Sequence, residues 1–282
     1  MKWMNQRRSD NVDDRRKLGK PAVVAGGGLV TIIAIVMFFL GKDPSEVMQS
    51  LQGVDQETTE NMVSSPHQDS LADMASVVLA STEDVWSKLF TEYGMDYVNP
   101  KLVLFNGSVK SACGIAGSAT GPFYCSGDTK VYLDLSFFDD LGSKLGASGD
   151  FAQAYVIAHE VGHHVQKLLG TLDKIHAQQA NSDEKENNRL SVRLELQADF
   201  YAGVWAHYAD HAQNLLDAGD LEEALNAASQ IGDDRLQQQS QGYVVPDSFT
   251  HGTSAQRIKW FRKGYQSNDL NEASIIFQTD QP

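Results

Sequence analysis

Ala154-Tyr155-Val156-Ile157-Ala158-His159-Glu160-Val161-Gly162-His163-His164-Val165-Gln166 is the stretch around which the chain organises itself. Apolar residues recur at helical spacing across 148–169, which predicts a helix. On that helix His159 and His163 stand four residues apart, one turn apart on one face. Their imidazoles can meet a single tetrahedral Zn²⁺, and Glu160 can reach a water in the open coordination position and take its proton. His164 points to a different face and is not expected to be a ligand.

Two protein ligands are too few for a zinc site. A metzincin would need Gly at 166 and His at 169, and the chain has Gln166 and Leu169 there, so that class is excluded. The better source is Ser191-Val-Arg-Leu-Glu195-Leu-Gln-Ala-Asp199-Phe-Tyr-Ala-Gly203, within a helix expected over 187–211. Glu195 and Asp199 again lie one turn apart. Glu195 can complete a His₂Glu set, and Asp199 can accept a hydrogen bond from a ligand imidazole and fix its tautomer. An ordinary solvated acidic face is the bland alternative. Asp199 fits it poorly, because it sits between Ala198 and Phe200-Tyr201-Ala202.

Charge and hydropathy bound the rest. The chain has 282 residues and a net charge of −14. Residues 1–20 carry seven basic and three acidic side chains, so the remainder carries about −18. An acidic body repels phosphate and argues against nucleic acid as a partner. The basic start precedes 22–40, nineteen residues without a charge. As a helix this run spans about 28 Å, close to the hydrocarbon thickness of a bilayer. The expectation is therefore a basic cytoplasmic tail (1–20), one transmembrane helix (21–41), a flexible polar stalk (42–70) and a catalytic domain (71–282). By the positive-inside rule the N-terminus lies in the cytoplasm and the domain in the periplasm, on a single-pass inner-membrane anchor. Cys113 and Cys125, the only two cysteines, read as one disulfide in an exported domain. Two free buried thiols are the alternative.

The coarse pattern is helix over 73–93, a strand at 101–105, a Gly-, Ser- and Cys-rich loop over 111–128, and a strand with period-2 alternation at 130–138. Further helices are expected at 220–229, with Asp220 and Glu223 placed like a capping box, and at 253–265. Helix, strands, then mostly helices suggests α+β with a small sheet. The 130–138 strand, just before the metal-binding helix, is expected to be the sheet edge along which a peptide lies.

Ala154-x-Val-Ile-Ala-His-Glu-Val-Gly-His-His-Val-Gln166 and Arg193-Leu-Glu-Leu-Gln-Ala-Asp-Phe-Tyr-Ala-Gly203 resemble the bacterial neutral zinc metallopeptidase family. Arg7-Arg-Ser-Asp-Asn-Val12, Gly121-Pro-Phe-Tyr-Cys125 and Val131-Tyr-Leu-Asp-Leu-Ser-Phe-Phe138 extend the resemblance over most of the chain. It implies a membrane-anchored zincin of the gluzincin type holding one Zn²⁺, with His159, His163 and Glu195 as ligands and Glu160 as base. Thr250-His251-Gly252 is similar to the Thr-His-Pro element that follows the zinc site in HtpX-like peptidases, with Gly252 in place of Pro. His251 and Tyr201 are the expected groups to polarise the scissile carbonyl. The expected function is hydrolysis of a peptide or protein substrate. A metal-holding binding or quality-control protein without strong hydrolytic activity is the alternative, and a purely structural zinc domain a weaker one.

Overall fold

The structure is a computed structural model that describes residues 1–16, 65–267, 269–279 and 282. It is a helix-rich α+β fold with a small sheet. In chain order the elements are β1 (Val12–Asp14), α1 (Pro66–Glu92), β2 (Lys101–Phe105), β3 (Ser108–Ser111), β4 (Gly114–Gly117), β5 (Phe123–Cys125) and β6 (Lys130–Asp134). They continue with α2 (Ser136–Ser143), α3 (Asp150–Leu168), α4 (Thr171–Gln179), α5 (Glu184–His211), α6 (Asp220–Gln230), α7 (Asp233–Gln241) and α8 (Ser254–Ser267).

The sheet order is β1-β2-β6-β5. β1, β2 and β6 are parallel, whereas β5 runs antiparallel to β6, pairing Tyr124 with Val131. β2 and β6 are buried along almost their whole length, as strands flanked on both sides must be. β3 and β4 form a separate hairpin. α3, carrying the two histidines, lies between the sheet and α5, and its apolar face enters the main core with Trp86, Phe200 and Trp205.

The approach of α3 to α5 depends on Gly162. A Cβ there would stand 2.9 Å from the Ala198 carbonyl oxygen and 3.1 Å from its Cα. The glycine inside the histidine motif thus lets the two site-bearing helices touch through backbone. Gly162→Ala is expected to cost about 1–3 kcal/mol by overpacking, and thermal unfolding measures the loss.

Several expectations are corrected. The strand at 130–138 ends at Asp134, because Asp134 Oδ1 accepts from the Ser136 N–H and hydroxyl at the start of α2. That strand is internal, and the edge facing the site is β5. The expected loop 111–128 holds β4, a 3₁₀ turn and β5. Asp220 and Glu223 form no capping box. Gly219 is the N-cap, Asp220 accepts from the Asp217 N–H and Glu223 from the Phe151 N–H.

The N-terminal division is corrected as well. Residues 1–16 are part of the same body as the domain at 71–282. β1 pairs in register with β2, and the buried Glu83 of α1 accepts from Ser9 Oγ at 2.5 Å and Asn11 Nδ2 at 2.7 Å. Arg16, almost buried, donates to Asp14 and to the Gln68 carbonyl. The described residues thus give no support to the arrangement with the tail inside and the domain outside. The apolar run 22–40 and stalk residues 42–64 lie outside the described residues. The last stalk residues belong to α1, which Ser65 caps by accepting the Gln68 N–H, with Pro66 at its first turn. Among the described residues no helix is long and apolar enough to cross a membrane.

Candidate metal centre

His159, His163 and Glu195 converge. His159 Nε2 lies 3.0 Å from one Glu195 oxygen and His163 Nε2 lies 3.4 Å from the other. Each residue offers a ligand atom within 4.8 Å of the others. Tetrahedral zinc with bonds of about 2.0–2.1 Å holds its ligand atoms about 3.4 Å apart, so the donor set fits that ion.

The far side of each imidazole fixes which nitrogen faces inward. His159 Nδ1 is 2.9 Å from Asp199 Oδ1, and His163 Nδ1 is 2.9 Å from Gln166 Oε1. Gln166 commits its amide nitrogen to the Leu194 carbonyl at 2.7 Å and to Gln197 at 3.1 Å. Its oxygen must therefore accept, Nδ1–H donates, and the Nε2 lone pair is left toward Glu195. Carboxylate and amide partners of this kind orient ligand histidines in metal sites.

Asp199 is fully buried and carries more than one bond. Tyr155 donates its hydroxyl at 2.5 Å, and Arg257 donates through Nε at 2.8 Å and a terminal nitrogen at 3.0 Å. Burial pushes the Asp199 carboxyl up, but Arg257 and then His159 more than offset that and hold it below its ordinary value. Burial likewise opposes ionisation of Glu195, yet His163, His251 and His159 keep it well below the carboxylate range. The His159 imidazole is pushed up to about 9: burial lowers it, and Asp199 and Glu195 overcome that. Glu160 goes the other way. Burial raises its pKa, and the two imidazoles and the Tyr124 backbone N–H only partly counter this.

His159, Glu160, His163, Glu195, Tyr155 and Arg257 line one cavity of about 280 Å³, whose wall includes β5 and His251. His251 is positioned by Asp233, a buried residue at the start of α7. One Asp233 oxygen accepts the backbone N–H groups of Thr250, His251 and Gly252 at 2.8, 2.7 and 2.9 Å. The other lies 3.4 Å from His251 Nδ1, which also meets Thr250 Oγ1 at 2.8 Å. Gly252 turns the chain at φ +86°, a conformation open to glycine and closed to proline.

Tyr201 does not belong to the cavity wall. It is 2% exposed and packs edge-on against Trp86 at 5.6 Å. Six residues beyond Glu195 is about 240° further round a helix, which turns it into the core between α5 and α1. His164 bridges Tyr124 Oη at 3.0 Å and the Val98 carbonyl at 2.6 Å. His207 and His211 stack on one another, with no third donor grouped with them among the described residues.

Cys113 and Cys125 form a disulfide. Cys113 lies in the β3–β4 turn and Cys125 ends β5, so the bond ties the cavity-lining edge strand to the hairpin. Replacing both by Ser is expected to cost about 2–4 kcal/mol, with the loss appearing as a lower urea midpoint. An unchanged midpoint would show that the hairpin holds β5 without it.

The sequence reading missed Arg257, Gln166, Tyr155 and Asp233. Arg257 had a visible signal: it shares a helical face with Trp260, Phe261 and Gly264, and all four are buried. An arginine on an apolar face needs a buried counter-charge.

No solved structure matches the chain. A protein of Escherichia coli strain K12, named as the uncharacterized protein YpfJ, is 52% identical over 279 residues, covering 95% of this chain and 96% of the relative. The uncharacterized protein Mb2605 of Mycobacterium bovis is 44% identical over 210 residues, covering 71% of this chain and 69% of its own length. Residues 1–275 match the family described as "Putative neutral zinc metallopeptidase", and the chain belongs to that family.

Proposed function

We propose that the chain hydrolyses peptide bonds at a single zinc ion held by His159, His163 and Glu195. The observation that carries this reading is the convergence of two oriented Nε2 atoms and a carboxylate beside the buried Glu160, in a cavity bordered by an open sheet edge. A zinc ion at that site supplies Lewis acidity and lowers the pKa of a water toward neutrality. Glu160 accepts a proton from the attacking water and delivers it to the departing amine. Its raised pKa suits both halves of that transfer. His251, held by Asp233 and Thr250, is the donor for the oxygen of the scissile carbonyl. Asp199 and Gln166 hold the imidazoles in place, and Arg257 keeps Asp199 ionised.

The substrate pairs with β5. No strand among the described residues pairs with its outer edge, and the Tyr124 N–H on that edge faces Glu160. An extended peptide can add there as a further strand, which brings its carbonyl beside the base.

The test is metal analysis of the purified protein together with digestion of a broad peptide mixture, with and without a chelator. Stoichiometric zinc and chelator-sensitive cleavage are expected. Bound zinc with no cleavage of any peptide would turn the reading toward a metal-holding binding protein.

A further inference from the structure

The cavity extends past the metal-site residues into a corner between α4 and α5 that carries hydrogen-bonding groups. Leu172, His176 and Gln179 are spaced four and three apart, so one face of α4 lines it. From α5, Ser191 lines it one turn before Glu195. The Gln179 amide nitrogen donates to the Asn187 carbonyl at 3.1 Å and to Ser191 Oγ at 2.9 Å. Both amide hydrogens are thereby committed, and the Gln179 oxygen remains as an acceptor with no hydrogen bond among the described residues. Ser191 Oγ accepts from Gln179 and keeps its own hydrogen to donate. The His176 ring makes no hydrogen bond among the described residues. His176 is exposed, and Gln179 and Ser191 are half-buried, so a side chain entering from solvent can reach all three.

We propose that this corner is a specificity subsite for a carboxamide side chain, so that the chain prefers peptides with Asn or Gln at one fixed position beside the cut. The inference rests on the peptidase reading and names a substrate class for it. A primary amide carries two donor hydrogens and an acceptor oxygen. Its nitrogen can donate to the Gln179 oxygen, while its oxygen accepts from the Ser191 hydroxyl and from a His176 N–H. A carboxylate can only accept and an ammonium can only donate, so each leaves part of the corner unmatched. Leu172 and Leu194, which also line the corner, can cover the methylene groups that carry the amide.

The charge of the corner agrees with a neutral partner. Burial, with Lys167 and His163 nearby, holds the His176 imidazole below its ordinary value against the pull of Asp173. Near pH 7 the ring is therefore uncharged and adds no attraction for a carboxylate. Glu195, one turn from Ser191, disfavours a second carboxylate beside it.

The experiment is digestion of a mixed peptide library by the zinc-loaded full chain, reading the residues around each cut. Asn and Gln are expected at one position, favoured over Ala on the order of tenfold or more, as for a site that hydrogen-bonds its substrate. Ser191→Ala is expected to shrink the Asn-to-Ala turnover ratio at that position toward one, and zinc content and melting temperature check that the fold is kept. His176→Arg puts a cation in the same corner and is expected to exchange the preference for Asp or Glu, moving the Asn-to-Asp ratio by about tenfold or more. A native profile without Asn or Gln enrichment overturns the inference. So does a Ser191→Ala protein that slows all peptides alike, which would mean that the corner binds only the peptide main chain. If the native chain cuts nothing, the same library is passed over immobilised zinc-loaded Glu160→Gln protein. Retention of Asn- and Gln-containing peptides that is lost when Ser191→Ala is added keeps the inference and rejects hydrolysis, and unselective retention rejects both.

Discussion

Glu160→Gln is expected to keep its zinc, keep its fold and lose at least 10²–10⁴-fold in peptide turnover, the contribution of a positioned general base. Gln matches Glu in shape, and Glu160 is not among the converging donors, so metal content should match the native chain. Stability gives the result its sharpness. The Glu160 carboxyl has its pKa raised by burial. For an acid, a folded pKa above the unfolded one means that ionisation destabilises the fold at any pH above the unfolded value. A neutral Gln removes that burden, so near pH 7 the variant should melt no lower than the native protein. Lost turnover with retained zinc and an undiminished melting temperature is what a functional group held at a cost to stability predicts. A turnover loss of less than tenfold would remove Glu160 from the role of base. A fall in both zinc and melting temperature would assign it a structural role.

The parts of the site legible in the sequence are those set by helical periodicity. His159 and His163, like Glu195 and Asp199, are four apart, and a helix alone brings each pair to one face. The parts that were not legible join elements distant in the chain. Arg257 meets Asp199 across 58 positions, and Asp233 reaches the Thr250-His251-Gly252 backbone across 17 to 19. No local rule specifies those pairings; the packing of α5, α7 and α8 does. Strands followed the same division. The alternation of Val131, Leu133 and Leu135 gave a strand away, whereas Val12-Asp13-Asp14 and Phe123-Tyr124-Cys125 are too short for any period to register and become strands only by pairing with β2 and β6. That omission had consequences. Without β1, residues 1–20 read as a basic tail separate from the domain, whereas residues 1–16 pack into it. Tyr201 lies away from the site for a simpler reason: the helical rotation from Glu195 carries it into the core against Trp86.

The second large effect is expected at Asp199. Asp199→Ala leaves the Arg257 guanidinium, 1% exposed, without a counter-charge. Removing one partner of a buried pair costs about 3–5 kcal/mol, enough to lower the melting temperature by about 6–20 °C for a chain of this size. The same change removes the acceptor for His159 Nδ1, and losing such a partner typically weakens metal affinity about 10–100-fold. The two losses have different origins and can be separated. In the double variant Asp199→Leu with Arg257→Met no charge is buried, and apolar replacement of a buried ion pair is often neutral or stabilising. Stability is therefore expected to recover while zinc affinity stays low, because His159 still lacks its acceptor. Acidification separates the two proteins as well. The Asp199 carboxyl is held below its ordinary value by Arg257 and His159 against the effect of burial. Its contribution is thus complete above the unfolded pKa, near 4, and is lost as pH falls through the lower folded value. Urea unfolding between pH 7 and pH 3 should show a steeper loss below pH 4 in the native chain than in the double variant. Native zinc affinity in the double variant would mean that His159 needs no orienting carboxylate, and an Asp199→Ala protein as stable as the native chain would mean that Arg257 finds another partner.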